Sequence, residues 1–385
     1  MRRRVARFLG CLTVVLAVAS CSGNSSDGGG ATAPSNGSFN AEQFFAGKTI
    51  RVIVTHTAGG GADLFGRFIA DRLGKYIPGQ PRVTVTNENG LGGIASVYDA
   101  PAESLVVGVT SQASALYTNA LDPAAKFDAA KIRMVGGTGG EPRALASFGD
   151  VAQAYPSLAD ASGKSGPPLK FAQSVGSPAD LVSDSFFASW LCETLSAPCQ
   201  MISVADDDSQ DLNLMLLRNE INMYGTGIVT ILREFKAGLQ DGSVKIAFGY
   251  APDQHTEVTP PANVPVKDIK EVIPAGAVAD YERILPIIGP GDLGKSFWVG
   301  PATSPDVLEA LRSAYSELVA DPAVVDELQG VMAGAGNGDA NFSWKVFAMS
   351  GQDAQAIYDK STGTFNDNLP YYQELQQKYF DKYWS

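Results

Sequence analysis

From residue 48 onward the chain alternates two hydrophobic patterns. Short runs rich in β-branched residues, Thr49–Val54 (TIRVIV), Val83–Thr86 (VTVT) and Leu105–Val109 (LVVGV), predict strands. Between the first two, Leu64, Phe65, Phe68, Ile69 and Leu73 share one helical face, and Gly74 stands where that helix would stop. The alternation then recurs. Leu169–Gln173, Met201–Val204, Ile221–Tyr224 and Val244–Phe248 read as strands, with helical segments around 179–192, 209–218 and 228–238. Pro305–Val319 has a clear amphipathic helical pattern, and Gly351 to Tyr383 predicts two more helices. Two successive β/α series imply an α/β protein of two lobes with mainly parallel sheets. A length of 385 residues suits two domains with some extra chain.

The first forty residues follow a different pattern. Arg2, Arg3, Arg4 and Arg7 precede an apolar run of 12 residues, Phe8–Ala19, too short for the ~20 residues that span a bilayer. Residues 1–20 therefore read as a signal peptide. The run closes on Val18-Ala19-Ser20-Cys21, which resembles a lipobox, so that Cys21 would be lipidated and become the mature N-terminus. Small polar residues fill 22–40, a flexible tether with a root-mean-square span of about 24 Å, and the tether region as a whole runs to residue 46. This places the body in an extracytoplasmic compartment, anchored to the membrane by lipid. Cys192 and Cys199 are the pair left once Cys11 and Cys21 are assigned, and in such a compartment they predict a disulfide.

Charge narrows the function classes. The chain carries 29 basic and 41 acidic side chains; without residues 1–20 the balance is 25 to 41, a net charge of −16. No basic stripe is present, which argues against nucleic-acid binding. His56 and His255 are the only histidines, so a His-rich metal site is impossible. Neither a metal nor a cofactor is expected.

The informative chemistry lies in two glycine-rich turns, Thr57-Ala58-Gly59-Gly60-Gly61-Ala62-Asp63 after the first strand and Asn89-Gly90-Leu91-Gly92-Gly93 after the second. Where Cβ is missing a ligand can approach backbone, and helix N-termini offer unpaired N–H groups. Turns at the carboxyl ends of adjacent strands would make an anion cradle. Neither has the spacing of a dinucleotide fingerprint or a Walker loop.

Arg51–Arg67 (RVIVTHTAGGGADLFGR) followed by Asn87–Gly93 (NENGLGG) resembles the opening of the substrate receptors of tripartite tricarboxylate transporters, the Bug family. The likeness continues through Leu105–Ser111, Gly176-Ser177-Pro178, Phe297–Gly300 and Met349–Tyr358. Departures occur at Ser174, often glycine in the family, at Asp180, often histidine, and at Ala205-Asp206, where a Pro-Tyr pair is common. The resemblance implies a type II periplasmic-binding-protein fold, the Venus flytrap. Lobe 1 would comprise 47–143 plus 300–385 and lobe 2 144–299. It further implies a monomeric, non-enzymatic receptor that passes a small organic carboxylate (a di- or tricarboxylate, or an aromatic one) to membrane transporter subunits. The candidate ligand-binding residues are His56, Thr57, Ala58, Gly59, Gly60, Asp63, Asn89, Gly90, Gly92, Gly93 and Ser111 in lobe 1. Ser174, Gly176, Ser177 and Thr226 are the candidates in lobe 2.

Two other readings arise from the residues. Ala172-Gln173-Ser174-Val175-Gly176 approaches the nucleophile elbow of an exported serine hydrolase but lacks its first glycine. Asp206, Asp207, Asp208 and Asp211 suggest a calcium site but lack EF-hand spacing and its glycine, and a solvated turn with acids near a helix N-terminus explains them better. Asp63 and Arg67, four apart on a helix, read as an ion pair.

Overall fold

The computed structural model describes residues 39–163, 166–205, 209–251, 256–289, 293–332 and 343–385. The segment read as a signal peptide, Cys21, most of the segment read as a tether, Asp206–Asp208 and His255 lie outside the described residues.

Thirteen strands are described: β1 (Thr49–Val54), β2 (Arg82–Asn87), β3 (Val106–Thr110), β4 (Arg133–Thr138), β5 (Arg143–Phe148), β6 (Leu169–Gln173), β7 (Cys199–Ser203), β8 (Met223–Gly227), β9 (Val244–Tyr250), β10 (Thr256–Thr259), β11 (Ser296–Val299), β12 (Ser343–Val346) and β13 (Ala348–Met349). The first sheet has the order β13-β4-β11-β3-β1-β2. Its β1, β2 and β3 run parallel, as βαβ connections require, while β11 runs antiparallel to both neighbours, β3 and β4. The second lobe repeats the plan. β5 lies antiparallel between β8 and β9, and β6 pairs parallel with β7. Apart from the short edge strand β13, which runs antiparallel to β4, one strand per lobe thus runs against a set of like-directed strands.

Those two opposed strands are the crossovers. β5 leaves the first lobe to complete the second sheet, and β11 returns to complete the first. The sequence reading placed 144–299 in lobe 2, but β11 belongs to lobe 1, and residue 143 already belongs to the second sheet. The connecting backbones touch closely: a Cβ on Gly294 would stand 2.3 Å from the Gly139 carbonyl oxygen. Gly294 N–H donates to Thr138 O at 2.8 Å, and Thr138 N–H to Lys295 O at 2.9 Å.

Asn222 joins the two parts of the second sheet. Its N–H donates to Lys170 O at 3.2 Å, its side-chain oxygen accepts the Lys170 N–H at 2.8 Å, and its amide nitrogen donates to Pro168 O at 3.0 Å. A buried side chain here takes the place of strand pairing. Cys192, in helix Ser183–Leu195, is bonded to Cys199 at the start of β7. The sequence reading started that helix at 179; instead Pro178–Asp180 forms one 3-10 turn, and the helix begins at Ser183. The segment read as one helix at 228–238 is two, Ile228–Glu234 and Lys236–Asp241.

The C-terminal helices bridge the lobes. In helix Gly351–Asp367, Tyr358 donates to Ala129 O at 3.0 Å and Phe365 packs on Tyr117, with centroids 5.0 Å apart. Helix Leu369–Tyr379 lies instead on lobe 2, where Gln376 donates to Leu181 O at 2.8 Å and Tyr379 meets Phe186 edge to face. Trp384 Nε1 donates to Ser189 Oγ at 2.9 Å. The segment 369–385, read from the sequence as part of lobe 1, therefore packs on lobe 2 because its aromatic face matches helix Ser183–Leu195.

Replacing Asn222 by alanine removes two hydrogen bonds and leaves the Lys170 N–H without its acceptor. A loss of about 2–4 kcal/mol of unfolding free energy is expected in urea titration. A loss below about 0.5 kcal/mol would show that the sheet halves hold without it.

Candidate functional site

Both glycine turns stand at the carboxyl ends of paired strands, since Val54 of β1 lies opposite Asn87 of β2. The first opens helix Gly61–Leu73 and the second helix Gly90–Tyr98. Thr57, Ala58, Gly59, Gly60, Asn89, Gly90 and Gly92 are exposed. Gly59 has φ +84°, a conformation costly for a residue with Cβ. Gly93 differs: a Cβ there would stand 1.8 Å from Glu88 O, so its glycine serves the turn's own packing.

The first turn is already engaged by a carboxylate of the chain. Asp63 Oδ2 accepts the Gly59 N–H at 2.9 Å, while Arg67 Nε and Asn87 Nδ2 each donate to Oδ1 at 2.9 Å. Burial pushes the Asp63 carboxyl up, but the Arg67, Gly59 and Asn87 hydrogen bonds outweigh it and hold the group below the usual carboxylate range. Asp180 does the same in lobe 2, where its Oδ2 accepts Gly176 N–H at 2.9 Å, Ser177 N–H at 2.7 Å and Ser177 Oγ–H at 3.1 Å. Gly90 N–H donates to Thr55 O at 3.1 Å and Ser111 N–H to His56 Nε2 at 3.0 Å. Five backbone amides of the candidate ligand-binding residues thus have partners within the chain. The shared device is a Gly-x-x-Ala-Asp motif, Gly59–Asp63 and Gly176–Asp180, once in each lobe.

A cavity of about 470 Å³ opens between the lobes. Lobe 1 contributes His56, Ser111, Gln112, Ala115, Asn119 and Asp122; lobe 2 contributes Arg143, Ser174, Asp180, Asp184, Tyr224 and Thr226, among others. Of the residues singled out from the sequence, His56, Ser111, Ser174 and Thr226 line it. Thr57, Ala58, Gly59, Gly60, Asp63, Asn89, Gly90, Gly92, Gly93, Gly176 and Ser177 do not, although the amides of the last two donate to the carboxyl of Asp180, which does.

Arg143 is the group that sequence reasoning missed. It opens β5, its side chain is 6% exposed, and its Nη2 is paired with both carboxylate oxygens of Asp184. Arg143 Nε donates to the Tyr250 hydroxyl at 3.1 Å, and that hydroxyl donates to Asp184 Oδ1 at 2.8 Å. Burial opposes the guanidinium charge, but Asp184 and Tyr250 more than offset it. The available signal was a cation opening an otherwise apolar strand, Arg143–Phe148 (RALASF).

His56 accepts a backbone N–H through Nε2, so its own proton must sit on Nδ1. Burial, with a smaller contribution from the Lys295 charge, lowers its pKa to about 4. Lys295 precedes β11 beside the first turn, where a Cβ on Gly61 would stand 3.4 Å from Lys295 Cε. Burial pulls Lys295 below the usual lysine range, against the attraction of Glu141. Ser174 Oγ donates to Ala205 O at 3.5 Å. Among the described residues no group of three or more His, Cys, Asp or Glu is placed to hold a metal ion.

No family model matches the chain, and no curated protein matches it in sequence. Solved structures do share its fold. A TctC solute-binding protein from Polaromonas superposes with a TM-score of 0.54 at 18% identity, covering 86% of this chain and 98% of that one. A Rhodopseudomonas palustris protein solved with adipate gives 0.57 at 14% identity, covering 86% and 97%. MatC from the same organism, solved with bound malate, gives 0.53 at 16% identity, covering 86% and 99%. The chain therefore has the two-lobed fold of the periplasmic binding proteins, as its likeness to the tricarboxylate receptors implies.

The His56 pKa fixes the sign of a pH effect. Folded His56 titrates near 4, below the unfolded value of about 6.5, so only the unfolded chain takes up the proton in between. Its contribution is complete above about pH 6.5 and is lost as pH falls toward 4, by up to about 3 kcal/mol. His56→Gln, which keeps an acceptor for Ser111 N–H, should unfold with a weaker pH dependence across that window. Parallel stability curves for the two proteins would refute the assignment.

Proposed function

We propose that this protein is an extracytoplasmic receptor that captures a small organic carboxylate between its lobes and delivers it to membrane transporter subunits. The observation that carries the reading is the polar interlobe cavity with the buried Arg143 guanidinium in its wall. Its volume of about 470 Å³ suits a small molecule. The malate and adipate bound by fold neighbours support an organic acid as the ligand class. Recognition by few charged groups fits a cargo that must be released again, because a charge-assisted hydrogen bond contributes only ~1.5–3 kcal/mol.

Attachment is by lipid at Cys21, with signal residues 1–20 removed and the small polar stretch after Cys21 acting as a tether. The receptor performs no covalent chemistry and acts as a monomer. The hydrolase reading gains no support from Ser174, whose hydroxyl donates to a backbone carbonyl while His56 Nε2 is engaged by Ser111.

Two experiments test these statements. Ala115 lines the cavity, so Ala115→Trp should fill it and weaken binding of malate or adipate at least tenfold in calorimetry, with an unchanged melting temperature. Leu217→Trp, at a position 81% exposed, is the control and should bind as wild type. Equal affinity in both variants would move the site elsewhere. Cys21→Ala should shift the mature protein from the detergent phase to the aqueous phase, and unchanged partitioning would refute lipid attachment.

A further inference from the structure

The cavity wall is unbalanced in charge. Its described side chains include three carboxyls, Asp122, Asp180 and Asp184, against one guanidinium, Arg143. His56 adds no positive charge, because its Nε2 is an acceptor for the Ser111 N–H. Two of the carboxyls also keep an oxygen unengaged. Asp180 takes its three donors on Oδ2, and Asp122 takes the Ala124 N–H on Oδ1 at 2.7 Å. No hydrogen bond within the described residues involves the second oxygen of either.

Arg143 is arranged in the complementary way. It is more than nine-tenths buried, and Nε and Nη2 are committed to Tyr250 and Asp184, yet Nη1 makes no hydrogen bond to a described residue. It therefore offers one anchored donor group to an anion. The turn amides of Gly176 and Ser177, which would have received a second anion, are held by Asp180.

We propose that the ligand is zwitterionic: its carboxylate meets Arg143, and an ammonium group at its other end faces the free carboxyl oxygens of Asp180 and Asp122. This rests on the reading of the cavity as a carboxylate receptor and narrows it. A dicarboxylate would turn its second charge toward acceptor oxygens with no second cation among the described lining residues to receive it. Like-charge juxtaposition of this kind is a strong means of rejecting a wrong ligand. The amine-bearing partner of the same length gains at that end what the diacid loses.

Calorimetry on the full mature chain at neutral pH, with length-matched pairs, tests this. The pairs are succinate with β-alanine, glutarate with 4-aminobutyrate, and adipate with 5-aminopentanoate. The amino acid should bind at least tenfold more tightly than its diacid in the best-fitting pair. In Asp180→Asn, whose amide oxygen can still accept the Gly176 and Ser177 N–H groups, that preference should fall below threefold. Asp122→Asn, at a half-buried position, should reduce it in the same direction and serves if the first variant does not fold. Equal or tighter binding of the diacid in every pair would overturn the zwitterion assignment and leave the carboxylate receptor standing. Binding of neither member of any pair would overturn both.

Discussion

Each sheet is completed by a strand that arrives from the other lobe, and most of the architecture depends on that exchange. The βαβ connections within a lobe keep their strands parallel, so an entering strand can run in either direction; β5 and β11 both run against their neighbours. Neither lobe can separate from the other without surrendering a strand from its own interior. The exchange also places charge. Arg143 is the first residue of β5 and Lys295 the last before β11, so both cations are fixed at the crossovers by backbone hydrogen bonding. Side chains are excluded where the connecting segments meet, since Gly294 lies directly against Gly139 and Gly140.

The glycine turns show how local competition decides what a motif does. A helix N-terminus with free amides is an anion site in isolation. A carboxylate four residues along the same chain is always present at high effective concentration, whereas a ligand arrives at micromolar to millimolar levels. Asp63 and Asp180 therefore take these donors, and the two turns are tied back onto their own chain. Asp63 goes further by engaging Arg67 and Asn87, which ties the end of β2 to the start of the first helix. Polar groups on the cavity surface then determine what can enter.

The two-lobed α/β plan was legible because strand and helix periodicities alternate cleanly in TIRVIV and in the Leu64–Leu73 face. The cysteine pairing was legible by elimination. Arg143 was not, because a single arginine in a strand usually marks a surface position, and burial becomes visible only when Asp184, forty-one residues later, is brought against it. The acceptors of the Gly59, Gly176 and Ser177 amides were not legible for a related reason: the spacing of a turn reports which donors are free of helix bonding, while their final acceptors depend on rotamers of Asp63 and Asp180. The division at residue 299 failed because chain order alone does not say into which sheet a crossover strand inserts.

The exchange of strands also orders the assembly of the molecule in time. The first sheet has a gap between β3 and β4 until Ser296–Val299 has been made, so it must wait for the whole second lobe. The second lobe in turn gains Tyr379 and Trp384 against helix Ser183–Leu195 only after that. Closing such sequence-distant contacts is slow and cooperative. A chain emerging from its amino end therefore cannot complete its first sheet until residue 299 is available, although the strands β5–β9 of the second lobe can already pair by residue 250. For a chain exported in the way proposed above, that delay would keep it threadable.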